Sequence, residues 1–285
     1  MSEGHQGVGQ QIVIGVVILV IGSILAAAII GEGSFAPGIL GRHFSGPEGD
    51  GDVSDSRQDS EGRPSPVDSA SETRIDVSWM DSDLIAHYPF DGTSQDATGS
   101  GHDADSRSVT ATYDRFRRSN HAYSFDGAPS SVSVPRSSNP LSEEFTLSVW
   151  AKHEDTGRPQ SIAEAWNSGE GSGVNIFYHP RDDRYYFQMR IGSSNYQLTC
   201  PALPLGDWRH LVHVYDGETQ IAYLDGLPVG RNRIGKPFKP PRAMFYIGDE
   251  ATYGDRHFDG SLDDVRVYGR ALNAQEVSAL AMEGL

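Results

Sequence analysis

Two acidic stretches far apart in the chain hold the residues best suited to chemistry. DGTSQDATGSGHD, from Asp91 to Asp103, supplies three carboxylates, two hydroxyls near its centre and glycines that let carbonyls turn inward. That is the donor set of a calcium-like cation, which takes roughly six to eight oxygens. The second stretch, HFDGSLDDVRVYGRALNAQE, runs from His257 to Glu276. Period-two reading puts Leu262, Asp264, Arg266 and Tyr268 on one face of a strand and Asp263, Val265 and Val267 on the other. If Val265 and Val267 face a core, Asp263 does too, and a buried carboxylate requires hydrogen bonds or a cation. The pattern therefore predicts that the last strand lies near the first and that the two acidic segments close one domain. Two arrangements satisfy it: an ion held between them, or a solvated acidic turn with Asp263 capped by backbone amides.

Other chemistries find no support. Gly-x-Ser-x-Gly is absent, and Gly169-Glu170-Gly171-Ser172-Gly173 has no phosphate-binding helix after it, so it reads as a hairpin turn. His210 and His213 fall on opposite faces of one strand, and no two histidines share a metal-binding spacing on a helix. Asp50, Asp52, Ser54 and Glu61 fit a calcium-loop spacing, but Asp55 stands where the loop needs glycine. Glu154, Asp155, Glu164 and Glu170 sit in or beside turns and read as exposed charge.

The elements that must position these residues follow from composition. Net charge is −16, with 39 acidic against 23 Lys and Arg residues, which excludes nucleic acid as a partner. Cys200 is the single cysteine, so no intrachain disulfide forms. After an N-terminal tail (1–11), residues 12–30, IVIGVVILVIGSILAAAII, carry no charge and span roughly 28 Å as a helix, enough to cross a membrane. Gly15, Gly22 and Ala26 share a face of that helix on which a second copy can approach, a route to a homo-oligomer. Residues 31–80, rich in Gly, Ser, Asp, Glu and Pro, read as a flexible linker. The domain over 81–285 shows short runs of Val, Ile, Tyr and Phe between turn residues, from Ile85–Tyr88 to Leu262–Tyr268, which predicts an all-β antiparallel sandwich. One helix is predicted at the end, opened by Asn273 and Glu276 in a capping box.

Five motifs in order resemble the laminin-G-like, concanavalin A-like jelly-roll family, in its prokaryotic and viral surface branch: LIAHYPFDGTSQDATGSGHDA, HAYSFDGAPSSVSVP, FTLSVWAK, WRHLVHVYDGETQIAYLDGLPVG and FDGSLDDVRVYGRALNAQEV. The resemblance implies two curved antiparallel sheets packed face to face. It also implies a structural calcium at one edge, held through Asp91, Asp96, His102 and Asp263, with His102 standing where the family often has Asn. Ligands of such domains are glycans or protein surfaces. Family hydrolases carry a Glu-x-Asp-x-x-Glu run along one strand, needed to place two carboxylates across the scissile bond, and this chain has none. No catalytic residue is assigned. In the least family-like stretch, Trp166, Tyr178, Tyr186 and Tyr196 are the aromatic candidates for ligand binding. The sequence thus points to a single-pass membrane protein displaying a lectin-like domain on the cell or virion surface for recognition or adhesion. A structural subunit of a virion or surface filament is the alternative, and a glycoside hydrolase ranks below both.

Overall fold

A computed structural model of the chain describes residues 78–284, apart from 155, 203 and 251–253, together with two strands nearer the N-terminus. The chain falls into two compact units, Met1–Ser69 and Ala70–Leu285. In the first, β1 (Val17–Ile21) and β2 (Ile24–Ala28) pair antiparallel, with Val17 opposite Ala28 and Ile21 opposite Ile24. This corrects the helix expected over 12–30: its described part is an extended ribbon. Among the described residues no helix is long and apolar enough to cross a membrane. The tail over 1–11, the linker up to residue 77 and the calcium-loop pattern at Asp50 lie outside the described residues.

The second unit contains β3 (Leu84–Tyr88), β4 (Asp105–Arg107), β5 (Thr110–Tyr113), β6 (Ser119–Asp126), β7 (Ser131–Val134), β8 (Phe145–His153), β9 (Gln160–Asn167) and β10 (Ser172–His179). It continues with β11 (Arg184–Ile191), β12 (Ser194–Pro201), β13 (Arg209–Tyr215), β14 (Thr219–Leu224), β15 (Leu227–Arg233), β16 (Phe245–Ile247), β17 (Asp259–Tyr268) and α1 (Ala274–Met282). A seven-stranded sheet runs β12-β11-β10-β9-β16-β7-β4, and an eight-stranded sheet runs β15-β14-β13-β8-β17-β6-β5, with β3 also paired to β17. The two sheets share one core. Leu147, Val149 and Ala151 of β8 and Leu211 and Tyr215 of β13 belong to the same buried cluster as Val174 and Ile176 of β10 and Phe187 and Met189 of β11.

The second face of the eight-stranded sheet is covered as well. Val212 and Val214, which alternate with the core residues of β13, pack with Tyr268, Leu272, Val277 and Leu280 beneath α1. Trp79 and Met80 join this cluster, so the last residues assigned to the linker belong to the folded unit. The helix starts where its capping box predicts: Asn273 accepts from the amides of Gln275 and Glu276, and the Glu276 carboxylate accepts from the Asn273 amide at 2.7 Å.

β17 positions the acidic cluster. Its first half, Asp259 to Leu262, pairs with β6, and its second, Val265 to Tyr268, pairs with β3, so these two strands fork apart along one edge. At the fork the register with β8 shifts between Asp263 and Arg266, and Asp264 has φ +50°. This β-bulge inserts a residue and reverses the alternation after it. Leu262 consequently shares the core with Val265 and Val267, while Asp263 lies opposite Trp150 on the other face. The expectation that Asp263 faces the core with the valines is corrected by that one inserted residue.

Candidate functional site

The fork is filled from the turn between β5 and β6. Arg115 Nη1 donates to Asp263 Oδ2 at 2.9 Å and Nη2 to Asp264 Oδ2 at 3.3 Å. Its guanidinium also lies 4.5 Å from the Phe116 ring centre and 4.7 Å from that of Trp150. Asp264 Oδ1 meets His87 Nε2 at 2.7 Å and Arg266 Nε at 3.0 Å, and Arg266 reaches on to Glu283 beyond α1. Burial pushes the Asp263 carboxyl up to about 7, reinforced by the Asp264 charge and opposed by Arg115. Burial would raise Asp264 too, but its hydrogen bond to His87 and the charges of Arg266, His87 and Arg115 hold it well below the usual carboxylate range. These groups line a cleft of about 390 Å³ in which the buried charges answer one another.

Of the four residues expected to hold calcium, Asp91 and Asp263 line this cleft. Asp91 stands half-exposed on the rim, 3.8 Å from His121 Nε2. Asp96 and His102 are engaged elsewhere. The Asp96 carboxylate accepts from the His87 amide at 3.0 Å, the Thr98 amide at 3.0 Å and the Thr98 hydroxyl at 2.9 Å. Burial opposes its ionisation, but these donors and the His102 amide hold its pKa below the ordinary value. Asp96 therefore pins the 91–103 loop to β3. His102 turns Nδ1 to the Ser138 carbonyl at 2.7 Å. Among the described residues no three His, Cys, Asp or Glu side chains are placed to hold an ion. The four side chains do not converge on one point: amide and hydroxyl donors surround the Asp96 carboxylate, and the cation facing Asp263 is a guanidinium.

The four aromatic candidates do not converge either. Tyr178 is buried in the core, its hydroxyl on Asp183 Oδ1 at 2.9 Å and its ring 4.4 Å from His153. Tyr196 packs against the same core from β12, next to Lys236, whose ammonium lies 5.5 Å from the ring. Tyr186 stacks on Phe177 at 4.8 Å on the opposite face of the seven-stranded sheet and hydrogen-bonds Asp182. Trp166 lines a cleft.

That cleft, of about 410 Å³, is bounded by Arg136, Trp166, Asn167, Ser168, Arg242, Ala243, Met244 and Tyr246. Trp166 lies directly opposite Gly173 on β10, and its ring covers that glycine: a Cβ there would come within 2.3 Å of the indole. The indole is thus seated on that glycine, half-buried, and lines the cleft. Tyr246 faces the same way because Phe245 and Ile247 on either side are in the core. Arg242 is presented by a braced loop. Asn139 donates to the carbonyls of Pro241 at 3.2 Å and Ala243 at 3.0 Å, Asn167 donates to the Arg242 carbonyl at 3.5 Å, and the Arg242 amide donates to Glu170 Oε2 at 2.9 Å. Arg136 follows Pro135 in a single 3₁₀ turn. Glu164, read from sequence as exposed charge, is buried in mid-β9 and accepts from Asn175 Nδ2 at 2.8 Å. Sequence reasoning found Trp166 but missed Arg136, Arg242 and Tyr246. The period-two alternation around Phe245 and Ile247 carried a signal for the last of these.

Comparison with known proteins decides the family. The profile of the laminin G-like group, described as the concanavalin A-like lectin/glucanase superfamily, matches residues 126–278, just over half of the chain. This chain belongs to that superfamily. A relative from Danio rerio, adhesion G-protein coupled receptor V1, is 27% identical over 173 residues, covering 56% of this chain. The chain spans only 3% of that receptor's length. Among solved lectin/glucanase-like folds, domain 4 of AbnA, an extracellular GH43 arabinanase of Geobacillus stearothermophilus solved with arabinotriose, superposes with a TM-score of 0.59. It is 21% identical, covering 70% of this chain and 98% of that one. The binding domain of botulinum neurotoxin serotype D gives a TM-score of 0.56 at 12% identity, covering 70% of this chain and 50% of that one. At these identities the superpositions establish a shared fold, the two-sheet jelly-roll-like sandwich built here around β8, β13 and β17.

Proposed function

We propose that the chain is a non-catalytic recognition protein of an exposed surface, whose lectin-like domain binds a saccharide with a sugar ring packed against Trp166. The observation that carries this reading is the Trp166 cleft itself: a braced indole beside Tyr246, with Asn167 and two guanidiniums at hand. Sugars present apolar C–H faces and hydroxyl edges, so a rigid aromatic surface with a few directed polar groups is the chemistry that recognises them. The cleft volume falls in the usual range for small ligands, roughly 300–1,000 Å³. Membership of a lectin-containing superfamily supports the reading, as do structural relatives described as a toxin binding domain and a domain solved with arabinotriose. Cutting a glycosidic bond requires two carboxylates flanking it, and the residues lining this cleft include none.

A second part of the proposal, that the uncharged run over 12–30 holds the chain on a membrane, rests on its apolar composition alone. Glycan-array binding of the 285-residue chain, compared with Trp166→Ala of unchanged melting temperature, tests the site. Binding to a defined saccharide set that disappears in the variant is expected. Equal binding by both proteins would remove Trp166 from the site, and release of reducing sugar abolished by replacing one acidic residue would make the protein a hydrolase. Alkaline carbonate extraction tests the anchor: the chain should stay with the membrane fraction, and full release would end that part.

A further inference from the structure

The charge of the Trp166 cleft is opposite to that of the chain. The protein carries 39 acidic residues against 23 basic ones, yet the cleft lining contains Arg136 and Arg242 and no acid. Elsewhere the arginines that line or border clefts are neutralised: Arg115 meets Asp263, Arg118 meets Asp114 and Arg266 meets Glu283. Neither Arg136 nor Arg242 has an ion-pair partner among the described residues, and both are exposed. Two carboxylates of neighbouring elements brace the frame. Glu170 accepts from the Arg242 amide, so the acid fixes the backbone that presents the guanidinium, and buried Glu164 accepts from Asn175.

We infer that the saccharide bound at Trp166 is acidic, and that its carboxylate or sulfate is held by Arg136 and Arg242. This rests on the reading of the cleft as a glycan site. A guanidinium presents paired N–H donors in a plane that match the oxygens of a carboxylate or sulfate, and such charge-assisted bonds are about twice as strong as neutral ones. The net charge of −16 narrows the ligand further. Screening over about 8 Å at physiological ionic strength lets the two guanidiniums act locally, while a long polyanion lying across the rest of the surface meets the excess of acid. The fitting ligand is a short glycan ending in a single acidic sugar.

The test is calorimetric titration of the 285-residue chain with oligosaccharides ending in a uronic acid or a sulfated hexose, each paired with its carboxyl-reduced or desulfated counterpart. The acidic form should bind at least tenfold more tightly than its neutral counterpart, with the preference weakening as salt rises. Arg136→Gln and Arg242→Gln, both at exposed positions, should each lower affinity for the acidic form by roughly tenfold and leave the neutral form unchanged. Whether the carboxylate or the sulfate series responds identifies the group. Equal affinity for acidic and neutral partners, with binding still lost in Trp166→Ala, would overturn this inference and leave the glycan reading standing. No binding in either series would remove both.

Discussion

Two clefts of similar size among the described residues, about 390 and 410 Å³, use charge in opposite ways. At the fork of β17, Asp263, Asp264, Arg115, Arg266 and His87 are buried or nearly so and answer one another. At Trp166 the carboxylates are directed into the frame and the guanidiniums are left without carboxylate partners among the described residues. A cleft whose charges are mutually satisfied has little to offer a ligand, since an incoming group must break a pair before it forms one. A cleft with braced but unpaired donors is ready for a partner. By that criterion the fork is a structural joint, where the first and last strands of the domain are locked, and the Trp166 cleft is the place proposed for binding.

Breaking each cleft at its arginine separates them most strongly. Arg115→Ala strands the Asp263 carboxyl and leaves Asp264 to His87 and Arg266, and removing one member of a buried ion pair costs about 3–5 kcal/mol. A drop of that size in the denaturant-derived stability is expected. Arg242→Ala, at an exposed position without a carboxylate partner, should stay within about 0.5 kcal/mol of the parent. Equal stability losses in the two variants would erase the distinction.

Acid sharpens the contrast from inside the eight-stranded sheet. Burial pushes the imidazoles of His210 and His213 from 6.5 down to about 3, so both favour a neutral folded state. Their contribution is full above about pH 6.5 and is lost as pH falls toward 3, because the unfolded chain takes up the protons. Asp263 runs the other way. Its carboxyl, raised from 3.8 to about 7, contributes stability below 3.8 that is lost as pH rises through 7. Asp264, held low, contributes fully above 3.8 and loses that as pH falls further. From pH 7 to 4 two histidines therefore oppose one aspartate, and unfolding free energy should fall by an amount on the order of a few kcal/mol. Asp263→Asn removes the opposing group and should steepen that fall. A slope unchanged by the substitution would place the Asp263 proton elsewhere.

How far all this was legible in the sequence depends on how each residue is held. Apolar runs between turn residues announced themselves: β13 and β14 form over such runs, and the capping box at Asn273 forms as spaced. β4, β5 and β15 did not, since most of their residues are exposed and backbone pairing alone defines them. The bulge at Asp264 was invisible because period-two reading assumes that no residue is inserted, and so Asp263 was assigned to the wrong face. Arg115 could not be foreseen as its partner: nothing local ties a turn after β5 to a strand 148 residues later. Likewise Trp166 stood out by type, whereas Arg136 and Arg242 come from irregular connections brought together through Asn139, Asn167 and Glu170.

A smaller effect isolates the indole from the fold. Gly173→Ala places a methyl within 2.3 Å of the Trp166 ring. The ring must move, and such local overpacking costs about 1–3 kcal/mol. Saccharide affinity should fall at least tenfold in a variant that is still folded at 25 °C. Retained affinity would show that the indole position is irrelevant to binding.

The smallest expected effect is none, and it bears on the fork. Had the acidic residues gathered a calcium ion, saturating calcium at about 100 times its dissociation constant would stabilise the domain by about 2.7 kcal/mol. For a domain of this size that is a rise of roughly 5–11 °C in melting temperature, well within the resolution of a thermal scan. The geometry does not gather these side chains on one ion: Asp96 is surrounded by amide and hydroxyl donors, His102 is turned to Ser138, and Asp263 faces Arg115. Melting curves in calcium and in chelator should superimpose. A chelator-dependent shift that Asp263→Asn abolishes would mean that an ion, and not the Arg115 guanidinium, closes the fork.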